Sequence, residues 1–218
     1  MKKSIYILIF AATLFQVASA QYSDKPKRFH IDAGLTVIAL SEHVRVGGGA
    51  GFGYFVAENH LLSLDFNGGT LESEKIDKFD YFLTYTDGTT KTFTDGEILR
   101  KSSIGSTLVS YHYVLGNYQS RFRWRFGGGA GIRTISASDD YSPEYVEGVK
   151  IDNIPKDRHK DSSATPVAAV SAGIRWHFTR AFFADFNYRV ILGSSTTVDM
   201  KDYSGMTHLF KLSAGFRF

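Results

Sequence analysis

The stretch Met206–Phe218, MTHLFKLSAGFRF, decides how the rest of the chain is read. From Phe210 onward, Phe210, Leu212, Ala214, Phe216 and Phe218 fall on one face, with Lys211, Ser213, Gly215 and Arg217 on the other. A period of two belongs to a strand whose faces meet different surroundings. The apolar face has no polar interruption. Inside a bilayer such a strand is stable only where both of its edges are paired, because unpaired backbone groups find no water there. The stretch therefore calls for further strands of the same kind.

They recur along the chain. Phe29, Ile31, Ala33, Leu35, Val37 and Ala39 oppose His30, Asp32, Gly34 and Thr36. After a turn at Ser41–His43, Val44, Val46, Phe52, Tyr54 and Val56 oppose Arg45 and four glycines. Leu62, Leu64 and Phe66 alternate with Ser63, Asp65 and Asn67. A fourth strand runs from Leu99 to Leu115, with the weakest alternation in its first half. Phe122, Trp124, Phe126, Ala130 and Ile132 oppose Arg123, Arg125 and Arg133. Val170, Ile174 and Trp176 oppose Ser171, Arg175 and His177, and Phe182, Phe186, Tyr188 and Val190 oppose Asp185, Asn187 and Arg189. With the opening stretch these predict an all-β, eight-stranded, antiparallel up-and-down transmembrane barrel.

The segments between the strands give an independent check. Connections after the second, fourth and sixth strands are short, whereas Gly68–Glu97, Ser136–Ser163 and Gly193–Gly205 are long and polar and read as loops. The first of these carries Asp87-Gly88 between two aromatic segments, a hairpin signal. Alternating short turns and long loops imply external loops with both termini in the periplasm. Trp124 and Trp176 lie near short turns, where an interfacial aromatic belt belongs.

Composition bounds the partners. Lys2 and Lys3, the apolar run Ile5–Val17 and Ala18-Ser19-Ala20 form an export signal over residues 1–20, leaving a barrel domain over 21–218. Without that signal the chain holds 23 basic and 22 acidic residues, too even a balance for nucleic acid. It has no cysteine, hence no disulfide and no thiolate metal site. The histidines keep no metal-ligand spacing, and no cofactor is expected.

At this point the chain resembles the small outer-membrane β-barrel proteins of the OmpA/OmpX type, often called porin-family proteins. The signal ending Ala18-Ser19-Ala20, the glycine-rich hairpins GGGAGFGYF and SAGIRWHF, and Phe216-Arg217-Phe218 carry the resemblance. It implies outer-membrane localisation, insertion by the barrel assembly machinery through Phe216 and Phe218, contact with outer-membrane lipids and lipopolysaccharide, and a monomer. The family's insertion signal favours a glycine where Ser213 stands. The peptidoglycan-binding domain of larger members has no counterpart here, so that role is not carried over.

The inner face carries the chemistry. By parity Arg45, Arg123, Arg125, Arg133, Arg175, Arg189, Lys211 and Arg217 point inward with Asp32, Asp65 and Asp185. An eight-stranded barrel is just wide enough to be filled by side chains, and buried charge must pair. A charged plug is therefore expected, with Arg175 bridged to Asp185 across the turn at Thr179–Ala181. A structural or adhesive scaffold that meets an external protein ligand through its loops is the first functional reading. A narrow, anion-preferring diffusion path is the second, because cations outnumber carboxylates. A lipid-modifying enzyme using Ser110 and His112 is the third and weakest, since no carboxylate in that stretch would orient the histidine. No catalytic residue is assigned.

Overall fold

The structure is a computed structural model, and residues 28–40, 43–84, 88–117, 120–142, 145–146, 149–150 and 160–218 are described. Among them lie strands β1 Phe29–Leu40, β2 His43–Ala57, β3 His60–Thr84, β4 Thr90–Leu115, β5 Phe122–Ser142, β6 Tyr145–Val146, β7 Val149–Lys150, β8 Lys160–His177, β9 Phe182–Gly193, β10 Thr196–Val198, β11 Lys201–Tyr203 and β12 Met206–Arg217. Eight of these close a barrel in the order β1-β12-β9-β8-β5-β4-β3-β2, and β6–β7 and β10–β11 form two small hairpins. Every barrel pair is antiparallel, and β1 and β12 close the ring with Ala33 opposite Ala214 and Val37 opposite Phe210. The export signal lies outside the described residues, as do Ser41, Glu42 and Asp87.

The fold is the one the alternation predicts, but three expected loops are corrected. In Gly68–Glu97 the expected two-stranded projection is present, with Tyr81 opposite Phe93 and Thr84 opposite Thr90, but the loop expected to carry it is strand. β3 and β4 run straight through it as strands of 25 and 26 residues. Their ladder carries register shifts at Thr70/Glu72, Lys75/Asp77 and Phe79/Tyr81. Each bulge adds a residue to one strand, so the period of two lapses while the pairing continues. At the far end Gly88 takes a φ of +83°, the left-handed turn conformation for which glycine is suited. Ser136–Ser163 likewise shrinks, because β5 reaches Ser142 and β8 begins at Lys160. Strand there is polar on both faces and shows no hydrophobic alternation. Gly193–Gly205 holds the β10–β11 hairpin, whose place is described below.

Outward-facing apolar side chains remain bare. Phe122, Trp124, Phe126 and Ile132 on β5 are each about half exposed. At ~3.4 Å per residue and a tilt of ~40°, that run spans about 26 Å along the barrel axis, which matches a hydrocarbon slab. No helix among the described residues is long and apolar enough to cross a membrane. At the end that holds the chain terminus and the short turns, here the terminal end, aromatic rings cluster. Trp176 lies between Phe122 at 5.8 Å and Phe178 at 4.4 Å, and Phe29 packs on Tyr54 at 4.7 Å. Phe216, though on the outer face, is only 5% exposed because Phe182 and Phe218 cover it. The opposite end carries the long hairpins and is here the hairpin end.

Candidate functional site

The lumen is built in storeys, and the middle one is ionic. Asp185 on β9 accepts from Arg175 Nε at 2.7 Å and from Arg125 Nη2 at 2.6 Å. The first of these is the cross-strand pair expected at the β8–β9 turn, where Arg175 stands opposite Asp185 in register. Asp65 on β3 accepts from Arg189 Nη2 at 2.9 Å and from the Ser63 hydroxyl at 3.0 Å. Lys211 on β12 lies 2.5 Å from Asp32 and 3.6 Å from Asp65, which joins the two sides of the barrel. His30, absent from the sequence-level set, completes the cluster 3.3 Å from Arg175 and 3.8 Å from Asp32. All of these side chains are buried. Glycines on the same face make the room. A Cβ on Gly53 would lie 2.1 Å from the His30 ring, and one on Gly127 2.5 Å from His112 Nδ1.

The remaining predicted cations work differently. Arg123 is buried and donates to the Glu58 carbonyl at 2.7 Å, and Arg217 donates to the Arg180 carbonyl at 3.2 Å. Both tie down turns at the terminal end. Arg133 reaches toward the hairpin end and donates to the carbonyls of Ser194, Ser204 and Gly205 at 2.9, 3.0 and 3.2 Å. Guanidinium forks suit this task because five donors leave one rigid plane. The surplus of cations thus meets backbone oxygen. Arg45 is corrected: it is exposed at the rim, donates to the carbonyls of Leu71 and Val44, and takes no part in the carboxylate network.

Above the ionic storey the lumen turns apolar, which sequence parity did not suggest. Ile38, Leu40, Leu71, Ile104, Leu108, Ile135, Val167, Ile191 and Leu209 form one buried cluster. Val198 and Tyr203, from the supposedly polar Gly193–Gly205 loop, belong to it. The β10–β11 hairpin therefore folds over the barrel mouth as a cap. Arg133 grips both of its stems, and Thr165 bonds Thr196 at 2.8 Å. At its tip Asp199 meets Arg100 at 2.5 Å, and Arg100 also forks onto Asp139 at 2.7 and 3.0 Å. Lys201 binds Glu72 at 2.9 Å and Glu74 at 2.7 Å on the extension of β3. The Lys201 bond holds the Glu74 carboxyl below its ordinary value, and the two carboxylates push the Lys201 amine up. A void of about 10 Å³ remains between the storeys, lined by Ile38, Asn67, Ile104, Ser106 and Leu209 among others. That is room for one water at most.

His112 bonds Ser63 at 3.1 Å and Ser171 at 3.4 Å. Its ring thus engages two hydroxyls other than Ser110, and both Ser110 and His112 are buried in the lumen wall. Among the described residues no cluster of three or more His, Cys, Asp or Glu side chains could hold a metal.

The closed ring, its apolar exterior and its filled interior define a small transmembrane β-barrel of the outer-membrane type. The structure is similar to Ail, the attachment invasion locus protein of Yersinia pestis, with a TM-score of 0.51 and 14% identity over 89% of this chain and 100% of that one. It is also similar to a major outer membrane protein from Thermus thermophilus, with a TM-score of 0.50 and 12% identity over 87% and 99%. At such identities the likeness is one of fold. No protein-family model and no curated protein sequence matches the chain.

Proposed function

We propose that the chain is an integral outer-membrane scaffold whose working surface is the hairpin end, exported by residues 1–20, with its termini in the periplasm and without catalytic activity. One observation carries this reading: among the described residues an ionic and an apolar storey of buried side chains occupy the lumen, while β3, β4 and β5 continue past the apolar band. Beyond Gly69 no strand pairs with β3 on its β2 side among the described residues, and β4 above Glu97 has lost β5. Beyond those points β3 and β4 pair with each other as a projecting two-stranded ribbon, which is the surface assigned to a partner. Ion pairs of both signs crowd its base: Lys75 with Glu97, Lys101 with Asp140 of β5, and Lys201 of β11 with Glu72 and Glu74. Ail was crystallised with a heparin analogue, sucrose octasulfate. The mixed charges here favour a protein partner over a polyanion of that kind.

Planar-bilayer recording of the refolded protein tests the reading. No conductance steps are expected, and steady anion-selective steps would replace the scaffold by a channel. A ribbon-truncated form, with Ile76–Ile98 replaced by Asn-Gly, should insert normally and lose adhesion in a cell-surface display assay. Unchanged adhesion would remove the ribbon from the proposal.

A further inference from the structure

The carbonyls that hold Arg123 and Arg217 satisfy donors but carry no net charge. From the ionic storey down to the terminal end, the described residues bury six cations, Arg123, Arg125, Arg175, Arg189, Lys211 and Arg217, against three carboxylates, Asp32, Asp65 and Asp185. Buried charge is costly unless opposite charge lies against it. Half of these cations therefore call for a counter-charge that the three carboxylates do not supply.

The excess gathers at the terminal end. Arg123 on β5 stands directly opposite Arg175 on β8, both on the inner face and both no more than 1% exposed. Like charges so placed repel. Arg175 spends its Nε on Asp185 at 2.7 Å and lays its guanidinium 3.9 Å over the Phe183 ring, yet its Nη1 has no hydrogen-bond partner among the described residues. One inner position nearer the terminal end, His177 is 93% buried and packs 5.9 Å from the same ring. Neither of its ring nitrogens has a partner among the described residues. A buried donor left so costs about 1–3 kcal/mol. Arg217, Arg175 and Arg123 each act on the His177 ring more strongly than Asp185 does. Across the lumen Phe55, Leu61 and Val114 form an apolar wall that offers these donors no acceptor side chain.

We propose that the terminal end of the lumen is a binding site for a small tetrahedral oxyanion of the phosphate class, held by His177 and by Nη1 of Arg175 between the charges of Arg123 and Arg217. An imidazole offers an N–H in either tautomer, and a guanidinium presents its donors in a rigid plane that matches an oxyanion. Four oxygens on one centre accept from several strands at once. The anion offsets the repulsion between Arg123 and Arg175 and supplies the counter-charge that backbone carbonyls lack. It is a resident counter-ion and leaves the lumen closed, so the inference goes beyond the scaffold reading without asking for conduction.

The test titrates the folded protein, in zwitterionic detergent micelles, with sodium phosphate at an ionic strength held constant by sodium chloride. Calorimetry should show saturable phosphate binding, and the urea midpoint should rise with phosphate and then level off, since a ligand of the folded state stabilises it. His177→Phe keeps the ring and removes both nitrogens, and Arg123→Met keeps much of the length and removes the charge. Each should weaken phosphate about 10-fold, the equivalent of one charge-assisted hydrogen bond. His177→Phe serves by itself if Arg123→Met does not fold. Glucose 6-phosphate carries the same group on a bulky body and should not compete. No phosphate effect beyond that of chloride, His177→Phe binding phosphate as the unmodified protein does, or glucose 6-phosphate binding as tightly as phosphate would each overturn the site.

Discussion

The ionic storey around Asp65 and Asp185 and the apolar storey around Leu108 and Leu209 fill adjacent lengths of one lumen, yet they tolerate change differently. In the ionic storey Asp65 and Asp185 each serve two cations, so deleting either leaves buried guanidinium or ammonium short of a counter-charge. That penalty exceeds what the intact pair contributes, because desolvation of the survivor is not offset. In the apolar storey a deletion leaves a void that neighbours partly close. The ionic half therefore specifies arrangement, and the apolar half supplies cohesion and a seat for the cap.

Asp185→Asn puts the comparison under the greatest strain. It should cost about 4 kcal/mol, since Arg125 and Arg175 lose their shared carboxylate, and urea unfolding of the micelle-bound barrel would measure it. Leu108→Ala should cost about 3 kcal/mol in the same assay. If the order of these two were reversed, the ionic storey would not be the more demanding half. Arg133→Met should cost about 2 kcal/mol and release the cap, because one guanidinium holds both hairpin stems. Hydrogen exchange across Thr196–Tyr203 should then speed up, while amides of β8 and β9 near Arg175 stay protected. The smallest effect is the pH response of the cap. Glu74 titrates below its ordinary 4.5, so its bond to Lys201 is fully present above that pH and is lost as pH falls through the lowered value. Proteolysis of the hairpin should rise in that acid range, and Lys201→Ala should flatten the response.

How far the chain could be read from its residues follows the same division. The strand set, the closing partnership of β12 with β1 and the Arg175–Asp185 pair all follow from period-two alternation beside a short turn, since a one-residue slip would turn every side chain to the wrong face. Alternation is silent where both faces are polar or bulged, which is why β3 and β4 beyond Gly69 passed for a loop bearing a separate hairpin, although the hairpin itself was legible. His30 falls on the inner face by parity but escaped the charge network, because a lone histidine on a strand face carries no local signal of its partners. Arg45 entered it because parity gives direction but not depth: at the rim an inward side chain still reaches solvent.

Residue order alone established a closed antiparallel barrel with aromatic rings outside and arginines within, since strand geometry imposes those alternatives one residue at a time. The pairing of each cation, the apolar upper storey and the hairpin cap are set by contacts between residues as distant as Arg100 and Asp199. Such contacts depend on strand stagger and on where each side chain lies along the barrel axis. Both are properties of the closed ring, and no single strand encodes them.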